Sequence, residues 1–228
     1  MLLYYITDRK QFPGGDAEQR SALLAAIVRA ARAGVDFIQL REKDLHSRDL
    51  ELLAREAFRA VRENSATTRL LINSRTDVAL ALGLDGVHLS STDLSPADVR
   101  AIHAAANRAR APLPPFIVAA SCHSASDVRL GESHGADFVV LAPIFEKLQV
   151  RQPGIGLDAL TQATRHSPPD LRVEAGDNRV GIPVLALGGV TLENAAACIA
   201  AGAAGVAGIR LFQIEDVAEV VKRLKGSC

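Results

Sequence analysis

Gly34-Val35-Asp36-Phe37-Ile38-Gln39-Leu40 places a glycine at the end of a helical stretch and an apolar run two residues later. The same arrangement follows Gly83, Gly135 and Gly202. Glycine past a helix end provides a left-handed cap, and a short apolar run without polar alternation is typical of a strand covered on both faces. The repeated arrangement therefore predicts a helix, a tight turn and a buried parallel strand, four times over.

Extending this pattern along the chain yields eight strand candidates, each followed by a segment with helical periodicity or good helix formers. The predicted strands are Leu2–Thr7, Val35–Arg41, Arg69–Ser74, Gly86–Ser90, Phe116–Cys122, Phe138–Ile144, Pro183–Gly188 and Gly205–Leu211. The predicted helices are Ala17–Arg32, Asp49–Asn64, Thr76–Leu82, Pro96–Asn107, Ala125–His134, Leu157–Arg165, Leu192–Ala201 and Glu215–Lys225.

Eight such units in 228 residues fit the size of one α/β domain, a (β/α)₈ TIM barrel over residues 1–228. A doubly wound open sheet is the alternative. It does not require eight evenly spaced parallel strands, and no Gly-x-Gly-x-x-Gly sequence opens the first helix. The barrel is therefore the favoured architecture.

Composition narrows the class of protein. The formal net charge is +0 and 48% of the residues are hydrophobic, so no basic excess favours nucleic acid as a partner. No apolar run approaches the roughly 18 residues of a membrane span, and Met1 leads directly into a strand instead of a signal peptide. Three cysteines without paired spacing fit a reducing cytoplasm. Whether the chain forms a homo-oligomer stays open.

The second predicted strand carries a cationic segment at its carboxyl end, the end at which barrel enzymes place their chemistry. Strand alternation predicts that Gln39, Arg41 and Lys43 point toward the barrel mouth and that Glu42 points away. An arginine fork and a mobile lysine charge favour a phosphate or diphosphate clamp. The alternative is that both cations only close salt bridges with Glu42, Asp44 or neighbouring strand ends.

A second anion site is predicted after strands seven and eight, whose loops form the common phosphate site of TIM barrels. These loops read Gly188-Gly189-Val190-Thr191 and Gly208-Ile209-Arg210. Glycine lets the backbone approach a phosphate closely, and Thr191 can cap the following helix so that its amides face the anion. The alternative is that Gly188 and Gly189 only permit a tight turn.

Five segments together resemble the thiamine phosphate synthase and thiazole tautomerase superfamily. They are Tyr5-Ile6-Thr7-Asp8-Arg9, Gln39-Leu40-Arg41-Glu42-Lys43, Asn73-Ser74-Arg75-Thr76-Asp77, Asp85-Gly86-Val87-His88-Leu89 and Leu187-Gly188-Gly189-Val190. The second segment favours the synthase side. The resemblance implies a condensation in which an aminopyrimidine methyl diphosphate loses pyrophosphate and the ring nitrogen of a thiazole phosphate attacks the resulting carbon.

The resemblance also implies roles for individual residues. Gln39 and Asn73 would bind the pyrimidine, and Arg41 and Lys43 the diphosphate. Asp93, after strand four, would hold a Mg²⁺ ion, although a lone aspartate in a loop can also be a helix cap. Ser121, at the end of strand five, matches a family serine that contacts the diphosphate.

Several positions depart from the synthase pattern. Ser74 stands where the family has a metal-binding aspartate, so its place in a metal site is doubtful. The threonine-rich loop after strand six is replaced by a segment whose Lys147 or Arg151 could supply the missing cation, and Arg210 replaces a serine. These departures leave open a thiazole phosphate tautomerase, or a barrel that kept phosphate binding and lost catalysis. The tautomerase histidine is also missing, because Pro143 occupies its place.

Three further side chains are candidates for proton transfer or nucleophilic chemistry. His88 alternates with apolar residues in a predicted strand, which favours a hydrogen-bonded core histidine over a proton carrier. For His123, at a strand end, a structural role and a role as proton carrier are about equally favoured. Cys122 precedes it, but adjacent strand residues face opposite sides, so we interpret Cys122 as a buried thiol.

Overall fold

A computed structural model describes residues 1–109, 115–146, 153–165, 181–213 and 216–226. Eight parallel strands close into a barrel in chain order, and β8 pairs with β1. The strands are β1 (Leu2–Ile6), β2 (Phe37–Leu40), β3 (Arg69–Asn73), β4 (Gly86–Leu89), β5 (Ile117–Cys122), β6 (Phe138–Leu141), β7 (Val184–Ala186) and β8 (Gly205–Gly208). The predicted (β/α)₈ barrel is confirmed.

Helices connect successive strands around the barrel, and two more follow β8. They are α1 (Asp16–Ala33), α2 (Ser47–Asn64), α3 (Thr76–Leu82), α4 (Pro96–Ala109), α5 (Ala125–Ser133), α6 (Gly156–Thr164), α7 (Ala195–Ala200), α8 (Arg210–Gln213) and α9 (Val217–Gly226). A short 3₁₀ helix, Arg9–Gln11, follows β1. Among the described residues, no helix is long and apolar enough to cross a membrane.

The predicted strands are too long, chiefly at their carboxyl ends. β8 stops at Gly208 and not at Leu211, because α8 begins at Arg210. β6 stops at Leu141, although the N–H of Ile144 still donates to the Leu187 carbonyl at 2.8 Å. The residues that follow each strand therefore belong to the loops that form the barrel mouth.

Two apolar clusters lie on opposite sides of the strands. The inner cluster fills the barrel and contains Tyr4, Phe37, Phe138 and smaller aliphatic residues. The outer cluster, which includes Tyr5 and Ile38, packs the strands against the helices. Successive residues of β1 and β2 thus face opposite sides, as strand geometry requires. The same alternation turns the side chains of Gln39, Asn73, His88 and Ser121 into the barrel.

Aspartates tie the amino-terminal ends of three even-numbered strands to their neighbours. Asp36, Asp85 and Asp137 each precede a strand and accept the backbone N–H of the preceding strand, at Leu3 (2.8 Å), Leu70 (2.8 Å) and Val118 (2.7 Å). Each also pairs with a cation, which is Lys225, Arg62 and Arg100 respectively. The first three copies of the glycine repeat share this aspartate, and the fourth has Ala204 instead.

This contact leads to a prediction about stability. Replacing Asp85 with alanine leaves the buried Leu70 N–H and the Arg62 guanidinium without their acceptor, so we expect Asp85→Ala to lower the free energy of unfolding by about 2–3 kcal/mol. Asp85→Asn keeps an acceptor oxygen and should cost less. Urea unfolding of the three proteins measures the difference, and equal stability of all three would contradict this role for Asp85.

Candidate active site

Polar side chains of neighbouring strands form a hydrogen-bonded chain at the mouth. The Gln39 amide nitrogen donates to the Asn73 side-chain oxygen at 3.1 Å, and the Asn73 amide nitrogen donates to Ser74 Oγ at 2.9 Å. Gln39 is buried, whereas Asn73 and Ser74 are half-buried. The Gln39 amide therefore has one fixed bond and the Asn73 amide has two, and both keep further donor and acceptor capacity for a polar ring.

A cavity of about 390 Å³ opens beside this chain. Its lining includes four residues predicted for the site, Lys43, Asn73, Ser74 and Asp93, together with Arg75 and Thr92. Asn73 ends β3, and the loops after β2, β3 and β4 supply the other residues, so the structure brings Lys43 and Asn73 together with the two predicted metal residues. The predicted residues Gln39, Arg41 and Ser121 are not part of this lining. Arg41 and Gln39 belong to the same strand and loop as Lys43.

Glu42 does not face the barrel interior but is held by the segment that follows β1. The Thr7 hydroxyl donates to one carboxylate oxygen at 2.6 Å, and the Arg9 backbone N–H donates to the other at 3.0 Å. Burial raises the pKa of Glu42, and these hydrogen bonds act against that rise. Thr7 Oγ1 also accepts the Arg41 backbone N–H at 2.9 Å, so the same hydroxyl anchors the residue that carries the cation.

Asp44 is occupied as well. It pairs with the Arg9 guanidinium and lies 3.1 Å from Lys10 Nζ, and its hydrogen bond with Arg9 holds the pKa of this carboxyl below its usual range. Within the described part of the chain, neither Arg41 nor Lys43 forms a salt bridge. The alternative in which these two cations only neutralise Glu42 or Asp44 is therefore wrong, because Arg9 and Lys10 take both carboxylates.

His88 lies inside the barrel between two hydroxyl groups. Its Nδ1 is 3.0 Å from the Tyr4 hydroxyl and its Nε2 is 2.9 Å from Ser121 Oγ. Burial, aided by the charge of Arg41, lowers the pKa of His88 to about 3, although Asp93 acts in the opposite direction. The predicted hydrogen-bonded core histidine is confirmed, and Ser121 is its partner.

The lowered pKa of His88 has a consequence for acid stability. Below the ordinary pKa of about 6.5 the unfolded chain binds a proton at this side chain that the folded chain does not bind until about pH 3, so stability falls as the pH falls through this window. Between pH 7 and pH 5 we expect the wild-type protein to lose about 2 kcal/mol more unfolding free energy than His88→Gln. Urea titrations at both pH values measure this, and parallel losses would contradict a neutral His88.

Asp93 and Ser74, the two residues predicted for the metal site, both line the cavity and carry oxygen donors. One Asp93 carboxylate oxygen accepts the Ser90 N–H at 2.6 Å, as in a loop cap, which leaves its second oxygen for a ligand. Ser74 adopts a left-handed backbone conformation with φ 62° at the end of β3. No group of three or more His, Cys, Asp or Glu side chains forms a metal cluster in the described ranges. Mg²⁺ tolerates such a sparse set because it keeps several waters.

The two glycines of the loop after β7 are required by its backbone conformation and by close packing. Gly188 and Gly189 have positive φ, and a Cβ on either would lie 2.7 Å from Pro143 or Phe145. The Thr191 N–H is bound at 2.8 Å by the Asn194 side chain. Because α7 begins at Ala195 with Asn194 as its N-cap residue, the prediction that Thr191 caps this helix is wrong. The anion site itself stays a prediction.

The other predicted residues fall in different places. Ile209 packs on the inner apolar cluster, and Arg210 is exposed at the start of α8. Lys147 lies outside the described residues. Cys122 is a buried thiol, as predicted, and burial raises its pKa to about 12. His123 is exposed, and its Nδ1 lies 2.8 Å from the Ala142 carbonyl.

Reasoning from the sequence missed Tyr4, Thr7 and Arg9. Thr7 and Arg9 belong to a quoted motif, but no role followed from it, because their acceptor Glu42 is more than thirty positions away. The sequence pattern around Tyr4 indicates only an aromatic residue of the apolar core. Its position on the inner face of β1, deduced by alternation, is the one signal that could have placed it beside His88.

With this geometry established, three comparisons with known proteins bear on the family. The model of a family described as "Thiamine monophosphate synthase" matches residues 3–212. The chain belongs to this family. It is 38% identical over 212 residues to a putative thiamine-phosphate synthase 2 of Aquifex aeolicus, with 92% of this chain and 96% of that protein covered.

Two other family relatives agree along nearly the whole chain. A thiamine-phosphate synthase of Methanoculleus marisnigri is 36% identical over 227 residues, which cover 98% of this chain and 93% of that protein. The solved structure of a thiamine phosphate pyrophosphorylase from Pyrococcus furiosus superposes with a TM-score of 0.74 at 26% identity, covering 99% and 94% of the two chains. The resemblance noted from the motifs is thus confirmed.

Proposed function

We propose that this barrel is a thiamine phosphate synthase that joins an aminopyrimidine methyl diphosphate to a thiazole phosphate and releases pyrophosphate. Family membership supports the reaction class. The observation that carries the proposal within this chain is the pair of cations, Arg41 and Lys43, whose neighbouring carboxylates are already bound by Arg9 and Lys10. An unneutralised cationic pair at a barrel mouth is suited to a diphosphate.

The reaction breaks the bond between the pyrimidine methylene carbon and the diphosphate oxygen, and the electron pair leaves with pyrophosphate. The thiazole ring nitrogen then donates its lone pair to the methylene carbon and forms the new carbon–nitrogen bond. Charge grows on the leaving diphosphate, so Arg41 and Lys43 stabilise it most strongly when the bond is breaking. No general base is required for this step, which fits the neutral, buried His88.

The hydrogen-bonded side chains of Gln39 and Asn73 would bind the aminopyrimidine. Gln39 and Asn73 retain one another's orientation through their mutual hydrogen bond, so the remaining Gln39 carbonyl lone pairs and amide hydrogens are directed in advance. An exocyclic amino group would donate to Gln39, and a ring nitrogen would accept from an amide hydrogen. The apolar side chains of Val140, Leu187 and Ile209 cover the opposite inner wall.

Asp93 and Ser74 would hold the magnesium ion, which when bound would neutralise diphosphate charge as the leaving group departs. The phosphate of the thiazole would bind at the loops after β7 and β8, the common phosphate site of TIM barrels. The two substrates are thus small anions that would bind at separate sites of the barrel mouth. The buried, free Cys122 and Cys198 support a cytoplasmic location.

The test is an assay of the purified protein with both substrates and Mg²⁺, with separate omission of each component. Thiamine phosphate should form only in the complete mixture. The proposal would be refuted if thiamine phosphate formed without added thiazole phosphate. It would also be refuted if the complete mixture formed no thiamine phosphate. A binding barrel without catalysis would retain pyrophosphate affinity in a calorimetric titration while forming no product.

A further inference from the structure

Three side chains from β1, β4 and β5 form a continuous hydrogen-bonded line across the barrel interior. The Tyr4 hydroxyl lies 3.0 Å from His88 Nδ1, and His88 Nε2 lies 2.9 Å from Ser121 Oγ. Tyr4 and His88 are buried, whereas Ser121 is half-buried at the mouth. The line thus begins in the core and ends at the barrel mouth.

The surroundings of Tyr4 decide the direction of these hydrogen bonds. Its ring meets Phe37 and Phe138 edge-on, with centroid distances of 5.9 and 5.4 Å, and the rest of its cluster is aliphatic. Among the described residues, His88 Nδ1 is the hydrogen-bond partner of its hydroxyl. A buried hydroxyl hydrogen turned away from His88 would face hydrocarbon, which is unfavourable. Tyr4 therefore donates, and Nδ1 accepts.

The direction of the Tyr4 hydrogen bond fixes the direction of the bond between His88 and Ser121. A neutral imidazole whose Nδ1 accepts carries its hydrogen on Nε2, and this hydrogen donates to Ser121 Oγ. Ser121 accepts this bond and keeps its own hydroxyl hydrogen for another acceptor. In the opposite tautomer Nε2 carries no hydrogen, so the Ser121 hydroxyl would have to donate its own hydrogen to His88.

We propose that Tyr4 and His88 are positioning residues that fix the imidazole tautomer so that Ser121 directs its hydroxyl hydrogen at the substrate in the barrel mouth. The identity of that substrate, the pyrimidine diphosphate, rests on the proposed function. A preoriented donor stabilises charge that develops on the departing diphosphate without having to reorient during the reaction. His88 acts through Ser121 and transfers no proton.

The tautomer itself is measured on the free protein by long-range ¹H–¹⁵N correlation of the full chain labelled at its histidines. The His88 signals are assigned by their loss in His88→Gln. We expect the shift of a protonated nitrogen at Nε2 and of an unprotonated nitrogen at Nδ1. A protonated Nδ1 would overturn the proposal, and this result does not depend on whether the protein makes thiamine phosphate.

Kinetics test whether Tyr4 acts through Ser121. We expect Ser121→Ala to lower kcat about 100-fold and Tyr4→Phe about 10-fold, and we expect the double variant to be no slower than Ser121→Ala alone. The KM for the thiazole phosphate should stay within about twofold, because that site lies across the barrel. Fully multiplicative losses in the double variant would overturn the relay.

Tyr5→Phe is the matched control. Tyr5 is equally buried on the neighbouring position of β1, but its hydroxyl donates to Gln213 at 2.9 Å on the outer side of the strand. This variant should lose a comparable hydrogen bond and keep both kcat and the His88 nitrogen shifts. An equal loss of kcat in Tyr5→Phe and Tyr4→Phe would show that the effect is structural and would overturn the proposal.

Discussion

Arg41→Ala is expected to lower the turnover of thiamine phosphate formation by roughly 10² to 10³ while leaving the fold intact. Arg41 lies just past β2, half-buried at the mouth, and it forms no salt bridge with another described residue. Its side chain therefore contributes little to stability, and its charge remains available for the diphosphate. The measurement is kcat by pyrophosphate release together with urea unfolding.

Two companion variants sharpen this result. Arg41→Lys keeps the charge but removes the two-pronged donor, so an intermediate loss is expected. Lys10→Ala removes a cation that is 3.1 Å from Asp44, and its turnover should stay within about twofold of wild type. Near-normal turnover of Arg41→Ala, or an equal loss in Lys10→Ala, would show that the diphosphate clamp is not formed by the loop after β2.

Asp93→Asn is expected to lower turnover about 100-fold and to raise the half-saturating Mg²⁺ concentration more than tenfold. The asparagine oxygen can still accept the Ser90 N–H, so the loop keeps its cap and only the negative charge is lost. Asp98→Asn is the matched control, since Asp98 caps the nearby exposed Ser95 N–H in the same way. Turnover and magnesium dependence of the control should match wild type.

Ser74 offers the converse change. If its hydroxyl stands in for a metal-binding carboxylate, Ser74→Asp supplies a hard anionic donor and should lower the half-saturating Mg²⁺ concentration, with a smaller effect at saturating metal. The left-handed φ of 62° at this position suits aspartate as well as serine, because both can bond the local backbone. An unchanged or raised magnesium requirement would place the metal elsewhere.

Much of the barrel could be predicted because its signals are local. A glycine cap and the apolar run behind it lie within seven residues, as at Gly34 and Gly135, and each identifies one helix-to-strand turn. Strand ends were less predictable. Leu211 continues an apolar run, but tertiary packing places it in α8, so sequence pattern alone extended β8 too far.

In the candidate site, too, local features could be predicted and long-range contacts could not. Gln39, Asn73 and Ser121 could be placed on the inner face by strand alternation, because each follows directly from its position in one strand. The contacts that set their chemistry could not, since Tyr4 and His88 are 84 positions apart and Arg9 meets Glu42 across 33. Such pairings are decided by barrel closure. The sequence pattern alone therefore left two interpretations of Arg41 and Lys43 open.

The stoichiometry of the complete reaction tests whether this barrel is a thiamine phosphate synthase. Purified protein is incubated with the pyrimidine diphosphate, the thiazole phosphate and Mg²⁺, and thiamine phosphate and pyrophosphate are quantified together over time. We expect equal amounts of both products, formed at the same rate. A protein that forms neither product but isomerises the thiazole phosphate, or that binds both anions without turnover, would contradict this expectation.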